Sequence, residues 1–147
     1  MPDKNMLDYD TNNYILNTNF NNDKKSHEEM LERGIAAAYV SGWKEKIDKL
    51  QKGDKVFLYK SGDGILSLGK VKSERKSEDW KRKEDDKYYV ELADFRNIAE
   101  NNPIKPSEMK DIRGSGFPFR TTMYSIDNET YKKLEDEAER RFDNIKK

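Results

Sequence analysis

Trp43, Tyr59, Trp80 and the run Phe117-Pro118-Phe119-Arg120 are the residues whose types suit recognition of a flat, charged ligand. A nucleic-acid base needs a π-face to stack on and a few fixed polar groups for its edge. Trp43 follows Ser41-Gly42, a turn that can present the indole to a cleft; the plainer alternative is a core Trp packing a helix on a sheet. Trp80 stands among charges, either as a cap over a pocket or as a loop anchor. Tyr59, Ser61 and Gly62 end an apolar run, where a hydroxyl and an amide can meet a base edge or a phosphate, or simply make a hairpin turn. Asn17-Thr18-Asn19 sets two amides and a hydroxyl in a row, a pattern that serves base edges and loop capping equally. Arg120 joins a guanidinium to aromatics beside a Gly-flanked loop that Arg113 precedes, an arrangement that suits phosphate, surface ion pairing being the default. The basic residues Lys70, Lys72, Arg75, Lys76, Lys81, Arg82 and Lys83 are interrupted by Glu74, Glu78, Asp79 and Glu84 to Asp86, so a solvated hairpin face is favoured over a phosphate track.

Nothing in the chain spells out a reaction. There is one His, His27, near a helix start, and no Cys, which removes disulfides, thiolate zinc sites and cysteine nucleophiles. No zinc-protease helix, nucleophile elbow or phosphate-binding loop occurs. Carboxylates are plentiful but none sits in an apolar setting; Asp63, in Ser61-Gly62-Asp63-Gly64, reads best as a turn residue. The expectation is a protein that is not an enzyme, with no catalytic residue, metal or cofactor. A metal-dependent nucleotide hydrolase is the enzymatic alternative.

These residues need a scaffold, and composition bounds it. The 147 residues suit one domain. Only 33% are hydrophobic and 39% are charged, but 29 basic and 29 acidic residues cancel, and 11% aromatics can close a lean core. A net charge of zero excludes the whole-protein grip of a basic DNA-coating protein. No apolar run has the length of a signal peptide core or a membrane span, so a soluble, cytoplasmic protein without a membrane partner is expected.

Along the chain, residues 1–13 are polar and read as a loose arm before a single domain over 14–147. Tyr14-Ile15-Leu16 predicts a first strand. Ser26, with Glu29 three residues on, predicts a capped helix ending at Gly34. Ile35 to Val40 carries small residues suited to close packing, and Trp43, Ile47 and Leu50 predict a short helix. Lys55 to Lys60 and Ile65 to Val71 flank a two-glycine turn, predicting a central hairpin. Lys72 to Asp86 reads as a long hairpin loop or irregular strand pair before a strand from Lys87 to Leu92. Ser107 caps a helical turn holding Met109 and Ile112. Thr121 to Ile126 predicts a last strand, and Tyr131, Leu134, Ala138 and Phe142 mark one face of a C-terminal helix to Asn144. About five or six short, mostly antiparallel strands with helices near both ends predict an α+β class and a small barrel.

The ordered string Ala37-Ala38-Tyr39, Gly42-Trp43-Lys44, Gly53-Asp54-Lys55-Val56-Phe57-Leu58-Tyr59, Ser61-Gly62, Gly64-Ile65 and Gly69 resembles the middle of PUA-like domains of the EVE/YTH kind. Phe119-Arg120-Thr121-Thr122 resembles that family's final strand. The resemblance implies a mixed or antiparallel PUA-like β-barrel and a binding module for one base or nucleotide of DNA or RNA, modified bases included, in a defence or mobile-element setting. It implies a pocket drawn from Asn17, Thr18, Trp43, Tyr59, Ser61, Gly62, Trp80, Phe119, Arg120 and Thr122. The competing reading is a small protein-interaction or inhibitor protein that uses the same barrel as a scaffold, with a protein partner.

Overall fold

The computed structural model describes residues 12–18, 24–39, 42–99, 101–117 and 122–146, with side chains of the last helix to Phe142. The chain runs β1 (Asn13–Asn17), α1 (Lys24–Arg33), β2 (Ile35–Tyr39), a 3₁₀ turn (Lys44–Lys49), β3 (Lys55–Lys60), β4 (Gly64–Val71), β5 (Lys76–Trp80), β6 (Lys83–Asn97), α2 (Pro106–Arg113), β7 (Met123–Ile126) and α3 (Asn128–Lys146). Among the described residues seven strands form one mixed sheet in the order β2-β6-β4-β3-β1-β7, with β5 added on β6. β1 runs parallel to β3, with Ile15 opposite Phe57, and every other pairing is antiparallel.

β6 curls this sheet. Its first half pairs with β5 and β2, and its second half with β4. Between the pairs Leu68–Arg96 and Lys70–Ala93, β6 carries one residue more than β4, and Asp94 there takes a φ of 52°. Such a bulge bends a strand. Gly69 lies against the bend, where a β-carbon would come within 2.8 Å of Leu92. The result is a half-barrel, open between β2 and β7 among the described strands.

Alternation along β1 and β3 divides the core in two. Tyr14, Leu16, Val56 and Leu58 point inside the curl, against Met30, Ile35 to Tyr39, Ile47 and Val90. Ile15, Phe57 and Tyr59 point to the other face, under Met109 of α2 and Tyr131, Leu134, Ala138 and Phe142 of α3. Local rules set the helix ends. Asp127 accepts the Thr130 amide at 2.6 Å at the start of α3, and Gly114 closes α2 at a φ of 87°. Arg141 ties α3 to α2 through Glu108 at 2.9 Å.

Several expectations are corrected here. Ser26 is not a cap: α1 already starts at Lys24, and the buried Ser26 hydroxyl instead donates to the Thr18 carbonyl at 2.8 Å. The short helix expected from Trp43 is a 3₁₀ helix over Lys44–Lys49. Of the two readings of Lys72 to Asp86, the irregular strand pair is the one present, as β5 and the start of β6. Residues 1–11 of the expected arm lie outside the described residues, but Asn13 belongs to β1. The Asn12 amide donates to the buried Asp54 carboxylate at 2.9 Å, as does Gln51. That carboxylate gives the Gly53-Asp54 turn its structural role.

Candidate functional site

Six of the ten residues singled out from the sequence gather at the ends of β1, β3 and β7. Asn17 donates its amide to the Thr122 carbonyl at 2.8 Å, and Thr18 to the Tyr59 carbonyl at 3.0 Å. The fully buried Thr18 hydroxyl shares a 2.6 Å hydrogen bond with His27 Nδ1. Ser61 and Gly62 follow in the turn, which Lys60 and Asp63 brace with a 3.0 Å ion pair. The groups here are largely consumed by one another. The Tyr59 ring is buried on the α2–α3 face, and its phenol accepts a hydrogen bond from the Gly62 amide while burial pushes its pKa up. Tyr59 therefore offers no ring face to a ligand. Nearby, the Tyr124 hydroxyl is buried and unpartnered among the described residues, and desolvation drives its pKa well above the usual phenol value. Phe119 and Arg120 lie outside the described residues.

The two tryptophans sit elsewhere. Trp80 ends β5 and packs its ring 4.3 Å from Tyr39, so it anchors the hairpin inside the curl. Trp43 is 55% exposed, the one large apolar side chain so placed among the described residues. Gly42 before it takes a φ of 101°, a turn conformation that L side chains avoid. The structure thus does not bring Trp43, Tyr59 and Trp80 into one pocket: their rings face solvent, the helical layer and the curl respectively.

Beside Trp80 lies a cluster that no motif in the sequence marks. Lys87 of β6 is 1% exposed, and its ammonium donates to Glu29 at 2.5 Å and Glu78 at 2.9 Å. Arg33 holds Glu78 with two bonds of 3.0 Å; Tyr89 donates to Glu78 and Tyr39 to Glu29. Two cations face two carboxylates, every charge is paired, and the Arg33 hydrogen bonds pull the Glu78 pKa down to about 2. Saturated pairs of this kind leave no group poised for proton transfer; they clamp α1 to the β5–β6 hairpin. Among the described residues no group of three or more His, Cys, Asp or Glu is placed to hold a metal ion.

Beside this clamp, Tyr88 packs against the inner core, with the Arg75 guanidinium 3.8 Å and the Lys44 ammonium 4.7 Å from its ring centre. Lys44 also donates to the Asp85 carbonyl at 2.7 Å and pairs with Asp86 at 3.5 Å, which fixes the Trp43-Lys44 segment to the hairpin. Trp80 pairs with Lys83 across a two-residue tip, Lys81-Arg82, where both residues have positive φ, 50° and 70°. Such tips are the usual place for Asn-Gly; a left-handed residue other than glycine costs about 1 kcal/mol. Lys81, Arg82 and Lys83 are all exposed.

No family model and no curated protein matches the chain. Solved structures do share its fold. An ASCH protein from Zymomonas mobilis superposes with a TM-score of 0.58 at 11% identity, over 85% of this chain and 94% of that one. A protein from Pseudomonas syringae gives 0.54 at 12%, over 84% and 97%. One from Rhodopseudomonas palustris gives 0.52 at 13%, over 83% and 89%. The likeness is one of fold, and the family named among these structures is ASCH, not EVE or YTH. The chain has the α+β class that its sequence leads one to expect, with the mixed sheet curled into a half-barrel in place of the small closed barrel.

Proposed function

We propose that this chain is a nucleic-acid-binding module that stacks a base or nucleotide on Trp43 and carries out no reaction of its own. The observation that carries the reading is the exposed indole. A lone surface Trp on a segment that Lys44 ties to the β5–β6 hairpin has the make-up of a base-stacking platform. The sequence resemblance to base-binding PUA-like domains points the same way. The pocket differs from the one its residues first suggest, since Tyr59 is sealed under α3 and Trp80 is packed on Tyr39. Recognition of a modified base by an EVE-like domain is the narrower form of the reading.

Tryptophan fluorescence tests it. Single-stranded DNA and RNA oligonucleotides, with and without modified bases, are titrated at low salt into wild type, Trp43→Phe and Trp80→Phe proteins. Quenching is expected in wild type and Trp80→Phe and absent in Trp43→Phe, and Trp43→Ala is expected to weaken binding about tenfold, the worth of one stacked base. Absence of binding by every oligonucleotide would sink the reading. A stable complex with a protein partner seated on Trp43 would replace it with the interaction-scaffold alternative.

A further inference from the structure

We infer that Trp43, Lys46 and Lys49 form one binding ridge along the 3₁₀ helix, with a base stacked on the indole and the adjoining phosphates of the same single strand on the two lysines. The inference rests on the proposed stacking role of Trp43. It adds the phosphates, so that the ligand is a strand of several nucleotides and not a free base.

The period of the helix carries it. A 3₁₀ helix has three residues per turn, so side chains three apart stand one above another, about 6 Å along the axis. The Lys46 amide donates to the Trp43 carbonyl at 3.1 Å, which sets Lys46 one turn above Trp43, and Lys49 follows one turn later at the end of the helix. Burial follows the same period. Lys44, Ile47 and Leu50 make the inner row: Ile47 and Leu50 belong to the core inside the curl, and Lys44 is bound to Asp85 and Asp86 of the hairpin. Glu45 and Asp48 make the second row, and both are engaged. Glu45 accepts the Gly42 amide at 2.8 Å, and Asp48 pairs with Arg75 at 3.0 Å. Trp43, Lys46 and Lys49 make the third row. Trp43 and Lys49 are exposed and Lys46 is half-buried. Neither lysine pairs with a described carboxylate.

Charge around the helix is therefore matched on one side and unmatched on another. Lys44 is offset by Asp86 and Asp48 by Arg75, whereas Lys46 and Lys49 stand in line with the indole with no acid bound to them. An aromatic face continued by cations at a regular step suits a base whose own backbone runs on past the ring. Lysine meets phosphate as a point charge, without the fixed geometry of a guanidinium, so this grip reads no sequence. A duplex keeps its bases stacked and offers the indole no free face, so the strand is single.

The double variant Lys46→Gln, Lys49→Gln tests this, because it removes both charges and keeps long polar side chains. Its thermal unfolding is expected to match wild type. Lys49→Gln alone, at the exposed position, serves as the second variant should the double one fold poorly. Binding of single-stranded DNA and RNA oligonucleotides of about eight residues is followed by Trp43 quenching across a salt series. The slope of log affinity against log salt is expected to be shallower by about 1.4 in the double variant and by about 0.7 in Lys49→Gln, the shares of two and one phosphate contacts on a single strand. A mononucleotide is expected to bind more weakly than the oligonucleotides, and equally to wild type and variants. An unchanged salt slope with Trp43 still quenched, or a mononucleotide that binds as tightly as the oligonucleotides, overturns the ridge and leaves the stacking reading standing. Failure of every oligonucleotide to quench Trp43 overturns both.

Discussion

At the ends of β1 and β3, polar groups close on one another: Thr18 with His27, Ser26 with the Thr18 carbonyl, Gly62 with the Tyr59 phenol. Along the β5–β6 hairpin the buried pairing is where Lys87 meets Glu29 and Glu78, while Lys81 to Lys83 at the tip are exposed. Both regions are rich in residues that can bind a ligand. What separates them is what already occupies those groups. The first is buried under α1, α2 and α3, and the tip of the second is exposed.

If that contrast is right, damage to the covered side should be the most costly. Phe57 is fully buried there, its ring 5.5 Å from that of Tyr131. Phe57→Ala is expected to lower unfolding free energy by about 3–5 kcal/mol, the usual cost of emptying an aromatic site in a core. Urea denaturation measures it; a loss near 1 kcal/mol would mean the α3 layer packs loosely on the sheet.

The clamp between the two regions comes next. Lys87→Met keeps the apolar stem and removes the ammonium, leaving Glu29 and Glu78 to Arg33 and water. A buried charge stripped of its partner is costly, but both carboxylates are partly exposed, so the expected loss is about 2 kcal/mol. Adding Glu78→Gln to Lys87→Met should recover part of it, and strict additivity of the two changes would show that the pair is not coupled.

Glu78 also gives the contrast a pH signature. Its folded pKa, about 2, lies below the ordinary carboxyl value of 4.5, with the Arg33 hydrogen bonds as the main cause. A group whose pKa is depressed by folding adds stability above its unfolded pKa and loses it as pH falls. Stability should therefore decline between about pH 4.5 and pH 2 in wild type, and decline less steeply in Glu78→Gln. Parallel acid curves for the two proteins would deny Glu78 its place in the clamp. Its side chain is partly exposed, so added salt should shrink the difference.

Much of the fold was legible because it rests on local pattern. Val56 to Tyr59 is a continuous run of β-formers buried on both alternating faces, and Tyr131, Leu134, Ala138 and Phe142 are all buried, as their spacing requires. The same alternation already set Tyr59 on the face of Phe57, away from Val56 and Leu58, but position at a strand end drew attention to the ring as a ligand contact. Lys87 was illegible for a different reason. Its carboxylate Glu29 stands 58 residues away, and a fully buried ammonium looks like any other lysine in a charged run until the chain folds back. Trp80 shows the converse: a ring among charges, taken as either cap or anchor, is fixed by Tyr39 across the curl.

The smallest effect concerns the tip, and its sign matters more than its size. Most substitutions destabilise, yet Lys81→Asn with Arg82→Gly should raise unfolding free energy by up to about 1 kcal/mol, because both positions have φ values that Asn and Gly adopt readily. Glycine also widens the unfolded ensemble, which offsets part of that gain. Calorimetry of the double variant beside each single one would divide the two contributions, and Arg82→Gly is expected to give the larger share, since its φ of 70° lies further from ordinary side-chain backbone than the 50° of Lys81. A fall in stability would mean that the lysine and arginine side chains hold the hairpin end together, and the covered and open regions would then differ in degree only.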